Sequence, residues 1–178
     1  MFRIRARRAA LLAALAILPF APPRAEARGG GGCLEEGSLV ETPGGAVPVE
    51  RLSPGDEVLA SSGGRLVRSR VAACFEVHPA ETIEISAGGR VLRLTSEHPV
   101  AAEAPGLFRM AAALRPGDRV LVAVGARLAP APVLSVRRVK ATRPAYNLLV
   151  SPGGTFVANG FLVHNKGCFL PDAPILKS

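Results

Sequence analysis

The chain has 178 residues, a length typical of one domain. Hydrophobic residues make up 48% of it but aromatic residues only 4%, and tryptophan is absent, so Val, Leu, Ile and Ala must fill the core. The formal net charge is +8, yet basic and aromatic residues are not interleaved, and the composition therefore does not favour a nucleic-acid-binding protein.

The first 27 residues have the pattern of an export signal. Four arginines precede an apolar stretch at residues 9–21, which is too short to span a bilayer with ease, and Ala25-Glu26-Ala27 forms a cleavage motif. An N-terminal membrane anchor is the alternative, but three prolines interrupt or follow the apolar stretch. The signal holds five arginines against one glutamate, so its removal lowers the net charge to about +4. We expect a periplasmic or extracellular protein with no stable membrane insertion after signal removal.

A glycine-rich leader, residues 28–32, is followed by Cys33, where we predict that the folded part begins. Downstream, short β-rich runs alternate with Gly, Pro and Asn turns, and no long stretch has helical periodicity. The predicted strands are 38–42, 46–49, 57–60, 65–77, 81–86, 90–95, 119–124, 132–141, 146–151, 155–158 and 161–164, with one short helical turn at 108–114. The predicted class is all-β with many short strands.

The two halves of this region repeat each other. Residues 79–99 and 144–165 both begin Pro-Ala, pass through a β-rich run, Ser and Gly-Gly, and reach a histidine, His98 in one and His164 in the other. The pattern Leu-x-Pro-Gly-Asp-x-Val-Leu also occurs twice, at 52–59 and 114–121. An internal duplication of this kind predicts two similar β subdomains with histidines in matching positions.

Cys33 is a candidate nucleophile. It follows four glycines, and a thiolate there can attack the open carbonyl of Gly32 and convert the peptide bond into a thioester. Thr95 and His98 supply a hydroxyl and an imidazole, which such a shift needs to polarise the carbonyl and protonate the departing amine. A buried structural cysteine is the alternative for Cys33.

The dipeptide His164-Asn165 is a second candidate. An asparagine side-chain nitrogen can attack its own backbone carbonyl and form a succinimide, which cuts the chain before Lys166, while a neighbouring histidine protonates the departing amine. Isolated His-Asn pairs are usually inert. This pair ends the β-rich region, and its histidine matches His98 in the duplication.

The remaining cysteines and histidine point to no metal or cofactor. Three cysteines are a poor disulfide framework, and none has metal-ligand spacing. We predict Cys74 to be a small buried apolar residue within a strand. A disulfide between Cys33 and Cys168 is a hypothesis for redox control. His78 has no counterpart in the second repeat and is predicted to be solvated.

Together the motifs resemble the Hint superfamily, which contains inteins, bacterial intein-like domains and hedgehog autoprocessing domains. The resemblance spans residues 33–165 and rests on Cys33, the turn and strand at 52–59, the Thr95-Ser-Glu-His98-Pro99 segment and the final run at 156–165. It implies a pseudo-two-fold, horseshoe-shaped β fold that brings both chain ends to one site.

The resemblance also implies roles for individual residues. Cys33 would be the N-terminal nucleophile, Thr95 and His98 would activate the bond after Gly32, and His164 and Asn165 would cleave the bond to Lys166. Such a domain acts once, on its own flanking segments, and an external thiol or other nucleophile is a possible partner.

The chain departs from splicing inteins at three positions. Lys166 stands where they have Cys, Ser or Thr, Asn147 stands where many have Asp, and Gly154-Thr155 replaces a histidine often found there. These departures resemble bacterial intein-like domains, which tend to cleave rather than ligate. The predicted function is thus single-turnover self-cleavage without complete splicing.

Two other interpretations stay open at this point. One is an inactive Hint-fold remnant that serves as an exported structural or interaction module, and the other is a secreted β-sandwich binding module. The ordered set of motifs argues against the sandwich. Residues 167–176 resemble the opening at 32–40, so the tail 166–178 is interpreted as the start of a second Hint module, with an exposed tail as the alternative.

Overall fold

A computed structural model describes residues 32–165. The predicted signal, the leader up to residue 31 and the tail from residue 166 lie outside the described residues. The described strands are β1 (Leu34–Glu35), β2 (Leu39–Thr42), β3 (Gly45–Pro48), β4 (Glu57–Ser62), β5 (Arg65–Val77), β6 (Glu81–Ala87), β7 (Arg90–Leu94), β8 (Pro99–Ala101), β9 (Phe108–Met110), β10 (Arg119–Val124), β11 (Arg127–Lys140), β12 (Ala145–Ser151), β13 (Thr155–Ala158) and β14 (Phe161–His164). Two 3₁₀ helices, Val49–Arg51 and Ala111–Ala113, complete the described elements.

The strands pair antiparallel in one continuous sheet. Its order is β3-β2-β13-β14-β10-β11-β6-β7-β1-β12-β5-β4, with β8 joined to β14 and β9 joined to β8. The prediction of an all-β protein with many short strands is confirmed. No helix within residues 32–165 is long and apolar enough to cross a membrane.

The duplicated Pro-Gly-Asp turns adopt the same hydrogen bonding in both halves. Gly55 N–H donates to Val71 C=O at 2.8 Å, and Gly117 N–H, 62 residues later, donates to Val133 C=O at 2.9 Å. Each turn follows one of the two 3₁₀ helices and leads into a hairpin, β4–β5 in the first half and β10–β11 in the second. The sequence repeat is therefore a structural repeat.

The two halves meet where their long hairpins touch. Leu66 N–H donates to Ala126 C=O at 3.2 Å, and Leu128 N–H donates to Gly64 C=O at 3.3 Å. These two bonds are equivalent under the 62-residue offset, and they flank the bridge between Arg65 and Arg127. A pseudo-two-fold axis thus passes through this point.

The halves also exchange their long strands. β5 of the first half pairs with β12 of the second, and β11 of the second pairs with β6 of the first. Because neither half keeps its longest strand to itself, the halves form one interlocked core. The largest fully buried side chains are Phe156, Phe161, Leu34, Ile83, Ile85, Leu92, Leu94, Leu114, Leu121, Leu148, Leu162 and His98. Aliphatic residues dominate this core, as the composition predicts.

The predicted elements agree with the structure most closely in the hairpins. The strand β11 begins at Arg127 rather than at Pro132, because residues 127–132 pair with β10, whereas pairing with β6 starts only at Val133. Before that point one edge of β11 has no long partner, so Pro130 and Pro132 cost no ladder hydrogen bond there. The predicted helical turn at 108–114 is instead strand β9 followed by a 3₁₀ helix.

Candidate functional site

The short strand β1 places Cys33 against the end of β7. Leu34 pairs with Leu94, and one step further Cys33 N–H donates to Thr95 Oγ1 at 2.9 Å. In return Thr95 N–H donates to the Cys33 carbonyl at 2.9 Å. Cys33 is buried. The Thr95 hydroxyl therefore sits on the nitrogen of the Gly32–Cys33 peptide bond, which is the nitrogen that would depart in an acyl shift.

A tight turn after β7 brings His98 back to the same bond. His98 N–H donates to Thr95 C=O at 3.1 Å, and the His98 carbonyl accepts from Ala111 N–H at 2.9 Å. The imidazole lies directly against Gly32, where an added Cβ would be 2.8 Å from His98 Nδ1. Only glycine fits at this position without movement of the ring, so the imidazole contacts the residue that contributes the candidate carbonyl.

His98 is fully buried and its pKa is strongly perturbed. Burial first, and repulsion from His164 second, lower the pKa of His98 from 6.5 to about 3. The backbone of Cys33 and Gly32 offsets part of this shift. Within residues 32–165 neither ring nitrogen has a partner at full hydrogen-bond geometry. His98 is thus a neutral imidazole with one donor and one acceptor available.

The second candidate pair ends the β13–β14 hairpin. Thr155 pairs with His164, and Asn165 N–H donates to Gly154 C=O at 2.7 Å. His164 Nδ1 lies 2.6 Å from the Asn165 carbonyl oxygen, and the ring packs edge-on against Phe108 with a centroid distance of 5.0 Å. The imidazole can therefore donate to the carbonyl of the bond that asparagine cyclisation would break.

Gly154 makes room for this arrangement. Its φ is +63°, and an added Cβ would be 2.8 Å from His164 Cε1 and 2.9 Å from Asn165 Oδ1. The space of a side chain at residue 154 is taken by the catalytic candidates themselves. Thr155 instead accepts a hydrogen bond from Ser61 N–H at 2.9 Å, which ties the hairpin to β4.

Asn165 is buried, and its Oδ1 has no hydrogen-bond partner within residues 32–165. A rotation of the carboxamide would therefore break no described hydrogen bond at Oδ1. Cyclisation needs such a rotation, because Nδ2 must approach the backbone carbonyl carbon.

The two candidate pairs converge through β8 and β14. Val100 pairs with Val163, and continuing this register by two residues brings His98 opposite Asn165. The His98 ring also packs edge-on against Phe156 of β13, at a centroid distance of 6.3 Å. The structure thus brings together the residues predicted from the two distant motifs.

Asn147 lies on the other flank of β1. The pairing of Leu34 with Tyr146 sets Asn147 opposite Cys33, on the side away from Thr95. Asn147 is buried. An amide at this position can donate and accept hydrogen bonds but cannot exchange a proton at neutral pH.

The remaining predicted residues lie apart from this region or outside the described residues. His78 is exposed, as predicted, and its Nε2 lies 3.5 Å from Glu76 Oε1. Cys74 is half-buried and donates to Leu52 C=O at 3.3 Å, and burial followed by the nearby Asp56 carboxylate raises the pKa of its thiol. Lys166 and Cys168 lie outside residues 32–165, so the Cys33–Cys168 disulfide stays a prediction.

No local sequence pattern indicates several contacts of the site. The aromatic contact of Phe108 with His164 joins residues 56 positions apart, and the crowding at Gly154 depends on the hairpin register. No group of three or more His, Cys, Asp and Glu side chains in the described part of the chain is placed to hold a metal ion.

Comparison with solved structures identifies the fold. No protein-family model and no curated protein sequence matches the chain. A bacterial intein-like domain from Clostridium thermocellum is 26% identical, with a TM-score of 0.67 over 75% of this chain and 98% of that one. This chain belongs to the Hint superfamily. The MchDnaB-1 intein is also 26% identical, with a TM-score of 0.62 over 75% of this chain and 99% of its own.

A more distant intein confirms the Hint fold alone. The DnaB intein from Synechocystis sp. PCC 6803 is 18% identical, with a TM-score of 0.69 over 76% of this chain and 99% of its own. The horseshoe-shaped Hint fold predicted from the motifs is therefore present. Within this Hint domain, β8 and β14 bring the Cys33 and His98 pair close to the His164 and Asn165 pair.

Proposed function

We propose that this Hint domain is a single-turnover self-cleaving domain that cuts the bonds after Gly32 and after Asn165. The observation that supports this most is that Thr95 and His98 both contact the Gly32–Cys33 peptide bond. Cys33 N–H donates a hydrogen bond to Thr95 Oγ1, and the His98 imidazole packs against Gly32. Nucleophile, hydroxyl and imidazole are thus arranged around one peptide bond.

In the first reaction the Cys33 sulfur attacks the Gly32 carbonyl carbon. A C–S bond forms, the C–N bond of the peptide breaks, and the Cys33 nitrogen leaves as an amine that must gain a proton. That proton comes from the Cys33 thiol, which loses it on attack. His98 is suited to relay it, because a neutral imidazole can accept the proton and the low pKa of His98 makes the resulting imidazolium a strong acid toward the departing nitrogen. Water or an external thiol then releases the leader from the thioester.

In the second reaction Asn165 Nδ2 attacks its own carbonyl carbon. A ring C–N bond forms, the bond to Lys166 breaks, and the departing amine takes a proton. His164 is suited to polarise the carbonyl oxygen, because its Nδ1 is 2.6 Å away. The products are a C-terminal succinimide and the segment that starts at Lys166.

Cleavage without ligation follows from Lys166. In splicing, the acyl group of the thioester at Cys33 passes to a hydroxyl or a thiol on the residue after Asn165. That residue is Lys166, which has neither group. We also propose, from the sequence of residues 1–27, that the domain is exported and that its substrate is its own flanking segments.

An inactive Hint-fold remnant is the second candidate. Asn147 cannot act as an acid or base, and Gly154 leaves His164 without a second histidine at that position. Both substitutions remove groups that would assist the C-terminal reaction.

Intact-mass measurement of the purified full chain distinguishes the two candidates. The chain is incubated at neutral pH for several days, with and without an added thiol. Self-cleavage predicts a product that begins at Cys33, which the thiol accelerates, and a slower loss of residues 166–178. An unchanged mass under both conditions would support the remnant.

A further inference from the structure

A row of alternating charges crosses four neighbouring strands beside Cys33. Glu35 on β1, Arg93 on β7, Glu84 on β6 and Arg137 on β11 follow one another across the sheet. Arg93 contacts Glu35 at 3.3 Å and Glu84 at 2.8 Å, and Arg137 Nε donates to Glu84 at 3.1 Å. The row therefore ends, on the side of β1, at a residue two positions from the candidate nucleophile.

Both carboxylates of the row are buried, whereas both arginines are partly exposed. Glu35 and Glu84 are each 6% exposed. The hydrogen bonds from Arg137 and then from Arg93 hold the pKa of the Glu84 carboxyl below its usual range. Separating either carboxylate from its arginine would cost free energy, because it would leave an unpaired buried charge.

The Glu35 carboxylate has a partner at each oxygen. Oε1 accepts from Arg93 Nη1 at 3.3 Å, and Oε2 accepts from the buried Thr82 hydroxyl at 3.2 Å. Arg93 and Thr82 belong to the hairpin β6–β7, so both contacts tie β1 to the same hairpin.

The register of β1 connects this row to the scissile bond. With Leu34 opposite Leu94, Cys33 lies opposite Thr95 and Glu35 lies opposite Arg93. Side chains two residues apart on a strand share a face, so the ion pair and the Cys33–Thr95 pair are neighbours on one face. A slip of one residue would break both pairs at once.

The backbone pairings that also fix the register of β1 are short. The strand is two residues long, and it pairs with β7 through Leu34 and with β12 through Leu34 and Glu35. Few backbone hydrogen bonds can therefore resist a slip, and a charge-assisted hydrogen bond is among the strongest side-chain contacts available.

We propose that Glu35 and Arg93 form a positioning pair for cleavage after Gly32, because they fix the register that sets Cys33 N–H on Thr95 Oγ1. The pair touches neither reacting atom and acts through Cys33 and Thr95. This inference rests on the proposed function, but the geometry that it concerns can be measured without any cleavage.

The first test compares the two cleavage reactions in the full chain. Glu35→Gln removes the charge while keeping the shape of the side chain, and Arg93→Met leaves Glu84 paired with Arg137. Each variant is expected to slow thiol-induced cleavage after Gly32 by about tenfold, the effect of losing one charge-assisted hydrogen bond. Cleavage after Asn165 should keep its wild-type rate.

Glu57→Gln is the matched control. Glu57 on β4 also lies between two arginines, Arg68 at 3.1 Å and Arg70 at 3.4 Å, but far along the chain from β1. It should leave both reactions unchanged. Equal slowing of both reactions by Glu35→Gln, or the same slowing by Glu57→Gln, would overturn the proposal.

The second test is amide hydrogen exchange at Cys33. Loosening of the register should speed exchange of the Cys33 amide by about tenfold in Glu35→Gln, since that amide is held by Thr95 Oγ1. The Val163 amide in β14 should not change. If the wild-type chain never cleaves, the proposed function fails while this measurement still decides the register, and unchanged exchange at Cys33 would overturn the positioning role.

Discussion

The two histidines of the duplicated fold stand in related places but in different surroundings. His98 is fully buried, presses against Gly32 and has a pKa lowered to about 3. His164 is partly exposed and lies 2.6 Å from the Asn165 carbonyl. A duplicated scaffold can therefore offer two imidazoles for two kinds of proton transfer, with burial and neighbours deciding between them.

The surroundings differ because different parts of the chain pack around each histidine. The N-terminal site is closed by β1, which enters from outside the repeat and pairs with both β7 and β12. The C-terminal site is the end of a hairpin within the repeat. The comparison predicts that each site can be disabled while the other keeps working.

The largest expected effect is the complete loss of one reaction. Asn165→Ala removes the only nucleophile for cyclisation, so cleavage before Lys166 should vanish while thiol-induced cleavage after Gly32 continues. Intact-mass spectra over several days measure both. The same C-terminal fragment appearing from this variant would show that cyclisation is not the route.

Loss of His98 should slow the N-terminal reaction by about 10²–10⁴-fold, the usual contribution of a positioned acid or base. His98→Ala leaves the cysteine in place but removes the proton donor for the departing amine. Cleavage rates after Gly32 with added thiol measure the effect. A rate within about twofold of wild type would remove His98 from the mechanism.

Crowding at Gly154 should slow the C-terminal reaction by about 10²-fold, the cost of misplacing a reacting group by about 1 Å. Gly154→Ala forces a Cβ to within 3 Å of His164 and Asn165. Gly89→Ala is the control, because Gly89 is the repeat equivalent, with φ +72° and no atom within 4 Å of an added Cβ. Both variants strain a positive φ, but only Gly154→Ala should slow cleavage before Lys166. Equal effects would assign the loss to backbone strain.

The smallest expected effect is on stability at acid pH. The folded-state pKa of His98 is about 3 and the ordinary value is 6.5, so the unfolded chain binds this proton first. Between those values the free energy of unfolding should fall as pH falls, by up to about 1.4 kcal/mol per pH unit from this group. It should not change with pH above that window on account of His98.

Urea unfolding of the wild type and His98→Gln at several pH values between 6.5 and 4.5 measures this term. Contributions from other groups cancel in the difference between the two slopes. The wild-type slope should exceed that of His98→Gln by the stated amount. Identical slopes would mean that His98 takes up a proton in the folded state.

The sequence alone predicts the repeat and most hairpin strands, because alternating apolar residues and Pro-Gly-Asp turns are local signals. It does not predict β1, since two residues have no periodicity and their strand exists only through β7 and β12. The motifs predict the candidate residues of both sites. The contact of Gly32 with His98 and the pairing of Glu35 with Arg93 depend on long-range register, which no local pattern contains.

Cleavage after Gly32 in the wild type and in Cys33→Ala tests the central claim most directly. Both full-length proteins are incubated with thiol at neutral pH and followed by intact mass. The N–S acyl shift predicts a product beginning at Cys33 from the wild type, faster with more thiol, and no such product from Cys33→Ala. Release of the leader at the same rate from Cys33→Ala would contradict the mechanism.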